Sequence, residues 1–351
     1  MAQYILKRLL LMIPTLFGVM LVTFAVTQFV PGGPVEQLVS QIQGRGHVGE
    51  AGAATSGLYR GATGLEAEQI EKLNALYGFD KPAYERFAMM MIHYATFNFG
   101  DSYFHNKSVV ELVMSKLPVS ISLGLWSFFI VYSISIPLGI AKAVRDGSRF
   151  DVITSTLVLV GYAIPGFVLG IVLLVLFGGG SFFSIFPLSG LVSDHWRDMA
   201  WYAIVLDYLW HMVLPITCVV IGSFAINTML TKNSFIEEIR KQYVLTARAK
   251  GLSENTVLYK HVFRNAVIPL VTGFPAAFVM SFFTGSLLIE TIFSLDGLGL
   301  LSYESVLMRD YPVVLATLYF FTLLGLVSKL LADISYVLID PRIQFDSVDG
   351  K

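Results

Sequence analysis

The sequence predicts an all-α integral membrane protein with six transmembrane helices. Three observations carry that expectation. Hydrophobic residues make up 55% of the 351 residues, and the mean hydropathy is +0.68. Charged residues reach only 14%, against about 25% in soluble globular proteins. Six separate apolar segments are long enough to cross the hydrocarbon core, which takes roughly 20 residues of helix.

The six segments are Leu9–Val30, Val119–Ala141, Val152–Phe177, Tyr202–Met229, Ala266–Ile289 and Val313–Leu338. The first follows Lys7 and Arg8, as a secretory signal would. Its apolar run is longer than a signal core, and Pro31-Gly32-Gly33-Pro34 is no small-x-small cleavage site, so it is expected to stay as a span. Basic residues then set the orientation. Lys142, Arg145 and Arg149 lie between the second and third spans, and Lys232, Arg240, Lys241, Arg248, Lys250, Lys260 and Arg264 lie between the fourth and fifth. The opposite short loops carry Arg197 and Arg309. Both termini are therefore expected in the cytoplasm. The chain divides into a first span with its tail (1–30), an external segment (31–117), a five-helix core (118–342) with a cytoplasmic loop at 232–265, and a tail (343–351).

Within the external segment, Gln43–Gly64 is rich in Gly, Ala and Ser and reads as flexible. Glu66–Gly78 and Pro82–His93 read as short helices, the second with a Met and aromatic face suited to packing on the membrane or the spans. Inside the spans, Pro137, Pro165, Pro215 and Pro275 each remove a helical hydrogen bond. Pro165-Gly166 is the strongest such break, a packing kink or a gating hinge, and Gly166-x-x-x-Gly170 has close-approach spacing. Glu290, near the outer end of the fifth span, is expected to face the bundle interior or a water-filled cavity. Lys329 and Asp333 are expected to form a structural ion pair.

Several chemistries are excluded by what is missing. Twenty-four basic against 25 acidic residues leave no excess for nucleic acid. The lone Cys218 and six scattered histidines give neither disulfides nor a metal site. There is no phosphate-binding loop, no H-E-x-x-H and no G-x-S-x-G, so no catalytic residue is assigned. An energised transporter of this composition draws on an ion gradient or on a partner. Ion-coupled carriers tend to place charges along a pathway and to show internal repeats. Here the spans hold few charges and no repeat is visible.

The segment from Tyr243 to Pro269 favours the partner. Thr246, Ala247, Arg248, Ala249, Lys250 and Gly251 end one short helix, and Gly251 suits the left-handed residue that closes it. Leu252 follows, and Ser253 is placed to cap a second helix whose Val257, Leu258, Val262 and Phe263 offer an apolar face. Two small helices joined by glycine, on the basic side of a membrane protein, suit a docking element.

These residues also resemble a known family. Ala-x-Ala-x-Gly at 247–251 and Asn-Ala-x-Ile-Pro at 265–269 are similar to the EAA loop of binding-protein-dependent ABC importer permeases. Tyr4–Leu10, Phe99–Ser102, Pro118–Ser120, Gly285-Ser286, Glu290, Gly297–Gly299, Arg309–Pro312 and Asp340–Arg342 extend the resemblance over the whole chain, toward the B-type subunit of dipeptide and oligopeptide importers. Gln43–Gly64, Arg86–Met91, Lys142–Asp151, Gly161–Phe167 and Ser294–Leu301 resemble the subgroup that imports oligopeptides and the antibiotic microcin C in Gram-negative bacteria. Two residues depart from the wider family. Thr246 stands where the loop's name puts Glu, and Asp296 stands where many relatives have Pro.

The resemblance implies a type I ABC permease fold in the bacterial inner membrane. It implies a homologous C-type permease, one fused or two separate ATPase chains that bind ATP and Mg, and a periplasmic peptide-binding protein as partners. The peptide is the cargo, and this chain itself binds no cofactor. Thr246 through Ser253 would receive the ATPase, while Pro165, Gly166 and Glu290 would belong to a gate or pathway. An ion-coupled carrier or channel subunit is the alternative.

Overall fold

The computed structural model describes residues 2–29, 80–178, 182–283 and 285–339. All regular structure among them is helical. The expected segments at Gln43–Gly64 and Glu66–Gly78, and the tail from residue 340, lie outside the described residues.

The long helices are α1 (Ala2–Phe29), α3 (Val109–Val144), α6 (Trp201–Ile239) and α12 (Tyr311–Ile339), with α2 (Ala83–Ala95) between the first two. Each long helix extends past the apolar segment that predicted it, because helix propagation costs little once the turn has nucleated. The 36 residues of α3 rise roughly 54 Å at 1.5 Å each, well beyond a ~30 Å hydrocarbon core.

Two expected spans are not single helices. The third is α4 (Arg149–Ala163) and α5 (Gly166–Phe177), bent by 92°. Proline restricts the residue before it to extended backbone, and Ile164 sits at φ −85°, ψ 118°. The fifth is also divided. Helix α8 (Glu254–Ala266), with a π-helical turn at Val257–Val262, meets α9 (Ile268–Ser281) at a 54° bend. Helices α10 (Leu287–Ile292) and α11 (Leu298–Met308) follow, and α7 (Gln242–Ala249) precedes α8. By length and composition, four helices can cross a membrane, or up to six if each bent pair is one span.

The chain forms two compact units. One comprises Met1–Arg8, Lys116–Leu300 and Leu324–Lys351. Its core joins Val119 and Leu123 of α3, Met212, Leu214, Ile216 and Cys218 of α6, and Ile289, Phe293 and Leu295. Gly166 and Gly170 let α5 approach α6 closely. A Cβ at Gly166 would lie 2.7 Å from the Cys218 carbonyl oxygen, and one at Gly170 would lie 3.5 Å from the Cys218 Sγ. Asp333 pairs with Arg8 at 3.1 Å and accepts a hydrogen bond from the Tyr4 hydroxyl at 2.9 Å. That corrects the expected partner: Lys329 is exposed and Asp333 is held from α1 instead.

The other unit comprises Leu9–Ser115 and Leu301–Leu323. Here Phe99–Ser102 and Arg309–Pro312, far apart in sequence, meet at one carboxylate. Asp310 is fully buried and accepts from the Ser102 hydroxyl and from the Tyr103 N–H at 3.1 Å. Beside it Tyr94, Phe99, Tyr319 and Phe320 form an aromatic cluster with centroids 4.6–6.3 Å apart.

Candidate functional site

Helix α7 ends in a complete Schellman motif. The Gly251 N–H donates to the Arg248 carbonyl at 2.9 Å and the Leu252 N–H to the Ala247 carbonyl at 3.4 Å. Gly251 has φ +82°, while a Cβ there would meet nothing within 4 Å. Backbone conformation, not crowding, requires glycine at this position. Ser253 then caps α8, its side chain accepting from the Thr256 N–H. Arg248 bridges the joint through Glu254, with Nε and Nη2 at 2.9 and 3.0 Å from the two carboxylate oxygens. Both expected roles, the left-handed Gly251 and the Ser253 cap, are present in the geometry.

The two helices present distinct faces. Val244 and Ala247 of α7 and Val257, Val262 and Ala266 of α8 pack into a core with Ile140 and Ala143 of α3 and Phe235 of α6. Leu258 and Phe263 pack against the same core. The apolar face expected on α8 is thus occupied by the chain's own helices, and Ala247 is part of that core. Thr246, Arg248, Ala249, Lys250, Gly251, Leu252 and Ser253 are exposed. Leu245 at 50% and Tyr259 at 62% exposure join them. Neither was singled out in the sequence, although the i, i+3 spacing of Val244 and Ala247 already turns Leu245 outward.

Polar contacts fix this element to the long helices. The Tyr243 hydroxyl donates to Glu238 at 2.7 Å and accepts from Asn265 Nδ2 at 3.2 Å. Burial pushes its pKa up, so it remains a neutral donor. Lys142, with no exposed surface, places Nζ 3.2 Å from Asp151 Oδ1. It also donates to the Asp151 carbonyl, Thr154 and Ser155 at 3.1, 3.0 and 2.6 Å. The other Asp151 oxygen takes Lys232 Nζ at 2.6 Å and the Gly147 N–H at 3.1 Å. Lys232 continues to Asp146 at 3.1 Å. Sequence reasoning counted these lysines only as topology markers. Asp146 within the basic stretch Lys142–Arg149, and Asp151 just after it, were the available signal.

The remaining candidates lie elsewhere in the same unit. Pro165 is exposed at the 92° break, and Gly166 rests on the Cys218 carbonyl. Glu290 has no exposed surface, and its carboxylate accepts from the Ser286 N–H at 2.9 Å and the Leu300 N–H at 2.7 Å. A Cβ at Gly297 would lie 2.5 Å from the Glu290 Cδ, and one at Gly285 would lie 2.6 Å from the Gly299 nitrogen. The glycines pack backbone directly around the carboxylate. Ser120 accepts from the Leu298 N–H at 3.0 Å, and Asp296 pairs with Lys116. No group of three potential metal ligands occurs among the described residues.

A family model described as binding-protein-dependent transport system inner membrane component matches residues 135–345. The chain belongs to this family. The matched stretch contains every candidate named above, from Pro165 to Glu290. Members of the family are transport components, and the relatives are named as permeases. The "Peptidoglycan transport system permease protein YejB" of Agrobacterium fabrum is 56% identical over 99% of this chain and 100% of its own length. The "Inner membrane ABC transporter permease protein YejB" of Escherichia coli O157:H7 is 53% identical over the same shares. The "Oligopeptide transport system permease protein AppB" of Bacillus subtilis is 32% identical over 98% of this chain and 100% of its own length. The chain is accordingly an ABC transporter permease component of binding-protein-dependent type.

Proposed function

We propose that this chain is the B-type membrane subunit of an ATP-driven peptide importer, forming half of its pathway. The observation that carries the reading is the two-faced helix pair at 242–266. One face is fused to the ends of α3 and α6, and the other exposes Leu245, Ala249, Leu252 and Tyr259. An ATPase bound to the exposed face gains a stiff connection to two long helices. Closure of the ATPases on ATP and Mg then shifts the permease between outward-open and inward-open states, by differential binding to the two. The chain contributes no chemistry.

The reading includes six spans with both termini cytoplasmic, each bent pair counting as one span, and the domain limits 1–30, 31–117, 118–342 and 343–351. The basic loops support that orientation. Its partners are a homologous C-type permease, one fused or two separate ATPases, and a periplasmic peptide-binding protein at the bacterial inner membrane. The names of the relatives divide between peptidoglycan and oligopeptides, and the chemistry common to both is the peptide bond. Microcin C, a peptide-nucleotide, fits the same class. In this scheme Pro165 and Gly166 form a fixed bend beside the pathway, and Glu290 anchors the turn at its outer end.

The test is reconstitution in liposomes with the co-encoded partner chains. Peptide uptake that requires ATP and survives an ionophore supports the reading. Uptake by this chain alone that an ionophore abolishes overturns it in favour of an ion-coupled carrier.

A further inference from the structure

Two cavities flank the same pair of side chains midway along α3. One, of about 190 Å³, is lined by Ser127, Phe128, Tyr132, Ser223, Asn227 and Ser281, among others. Its neighbour, of about 310 Å³, shares Phe128 and Tyr132 and adds Ser133 and Phe274. The larger stands at the lower end of small-ligand sites, which run from roughly 300 to 1,000 Å³, and the smaller is big enough for part of such a ligand.

The polar groups in the smaller cavity do not suit lipid. Many serines and threonines in these helices spend their hydroxyl on a carbonyl one turn back, as Thr231 and Ser281 do. Ser127 is 8% exposed, lines the cavity, and its Oγ has no hydrogen-bond partner. Asn227 lines the same cavity, and its Nδ2 donates to the Ser223 carbonyl at 2.9 Å. Its Oδ1 therefore stays available as an acceptor. The Ser127 hydroxyl, buried without a partner in an apolar medium, is unfavourable unless something polar visits it. The wall beside it is aromatic. Phe128 lies 4.7 Å from Tyr132 and 4.8 Å from Phe274, ring centre to ring centre, and Tyr132 lies 5.2 Å from Phe274.

We infer that this site is a station on the cargo route, holding one residue of a peptide. The Ser127 hydroxyl donates to the peptide carbonyl, Asn227 Oδ1 accepts the peptide N–H, and the cargo side chain lies against Phe128, Tyr132 and Phe274. The inference rests on the permease reading and assigns residues to it. A donor and an acceptor serve the backbone of any peptide, and the aromatic wall favours apolar side chains over charged ones.

Two measurements on the complete importer in liposomes test it. In the first, Asn227→Cys is treated with a membrane-impermeant methanethiosulfonate, with Ile226→Cys, 58% exposed on the adjoining face, as control. Native Cys218 is buried and adds little background. The thiol at 227 is expected to react faster than that at 226 and to be protected by a phenylalanine-containing tripeptide. In the second, Asn227→Leu and Ser127→Ala are each expected to lower uptake of that peptide about three- to tenfold, the span of one hydrogen bond, with ATP hydrolysis unchanged. Equal labelling at 226 and 227, or no peptide protection, while the unsubstituted importer still takes up the peptide, overturns the assignment. Faster labelling at 227 in an importer that takes up no peptide supports the aqueous route and refutes the cargo class instead.

Discussion

Lys142 and Asp151 form a buried ion pair, Nζ to Oδ1 3.2 Å, that fastens the start of α4 to the end of α3. The second Asp151 oxygen extends the fastening to Lys232 of α6 at 2.6 Å. One carboxylate thus ties together three helices beside the core that carries α7 and α8. Removing one partner of a buried pair leaves an uncompensated charge, which is far costlier than losing the pair as a unit.

Asp151→Asn is therefore expected to destabilise the folded chain by about 3–5 kcal/mol. Asp146→Asn, at an exposed carboxylate, is expected to cost about 1 kcal/mol or less. Thermal unfolding in detergent distinguishes them. Similar midpoints for the two variants would show that the buried pair does not hold the helices.

Gly251→Ala is expected to weaken the Schellman turn by about 1–2 kcal/mol, because φ +82° is a left-handed conformation in which a Cβ crowds the residue's own carbonyl oxygen. Gly251→Asn should recover part of that loss, since asparagine tolerates the left-handed region. Gly251→Pro also removes the N–H that donates to Arg248, and should uncouple ATP hydrolysis from uptake while membrane insertion persists. Uptake assays beside membrane quantification check all three.

Glu290→Gln retains one acceptor and turns an amide donor toward a backbone N–H, at a cost of about 1–3 kcal/mol. Gly297→Ala introduces a Cβ 2.5 Å from the Glu290 Cδ and should cost a similar amount through overpacking. Because both disrupt one cradle, the double variant should lose less than the sum of the two. Strict additivity in unfolding midpoints contradicts a shared site.

Gly166→Ala should likewise cost about 1–3 kcal/mol, since its Cβ would sit 2.7 Å from the Cys218 carbonyl. Gly222→Ala, with nothing within 4 Å, is expected to be neutral or slightly stabilising in its helix. If Gly166→Ala unfolds no earlier than Gly222→Ala, α5 does not rest on α6 as described.

Local chemistry made much of this legible in the sequence. Apolar length announced the long helices, and turn residues announced the Gly251 left-handed closure and the Ser253 cap. Pro165 announced a break, though not its 92° angle, which depends on α5 seating against Cys218. Contacts between distant residues were the part that stayed hidden. Asp151 meets a lysine 81 positions away, and Asp310 meets a serine 208 positions away. No local pattern encodes those distances. The direction of Ala247 and Ala249 falls between these cases. Both read as docking residues in the sequence, yet one faces the chain's own core and the other faces outward, a distinction carried only by the register of Val244.

That distinction gives the most direct measurement of the central claim. Ala249→Asp places a charge on the exposed face without touching the core, and the full importer carrying it is assayed for ATPase co-purification and ATP-dependent peptide uptake. Both are expected to fall sharply while the amount of chain in the membrane stays unchanged. Normal co-purification and uptake by Ala249→Asp would contradict docking at this surface.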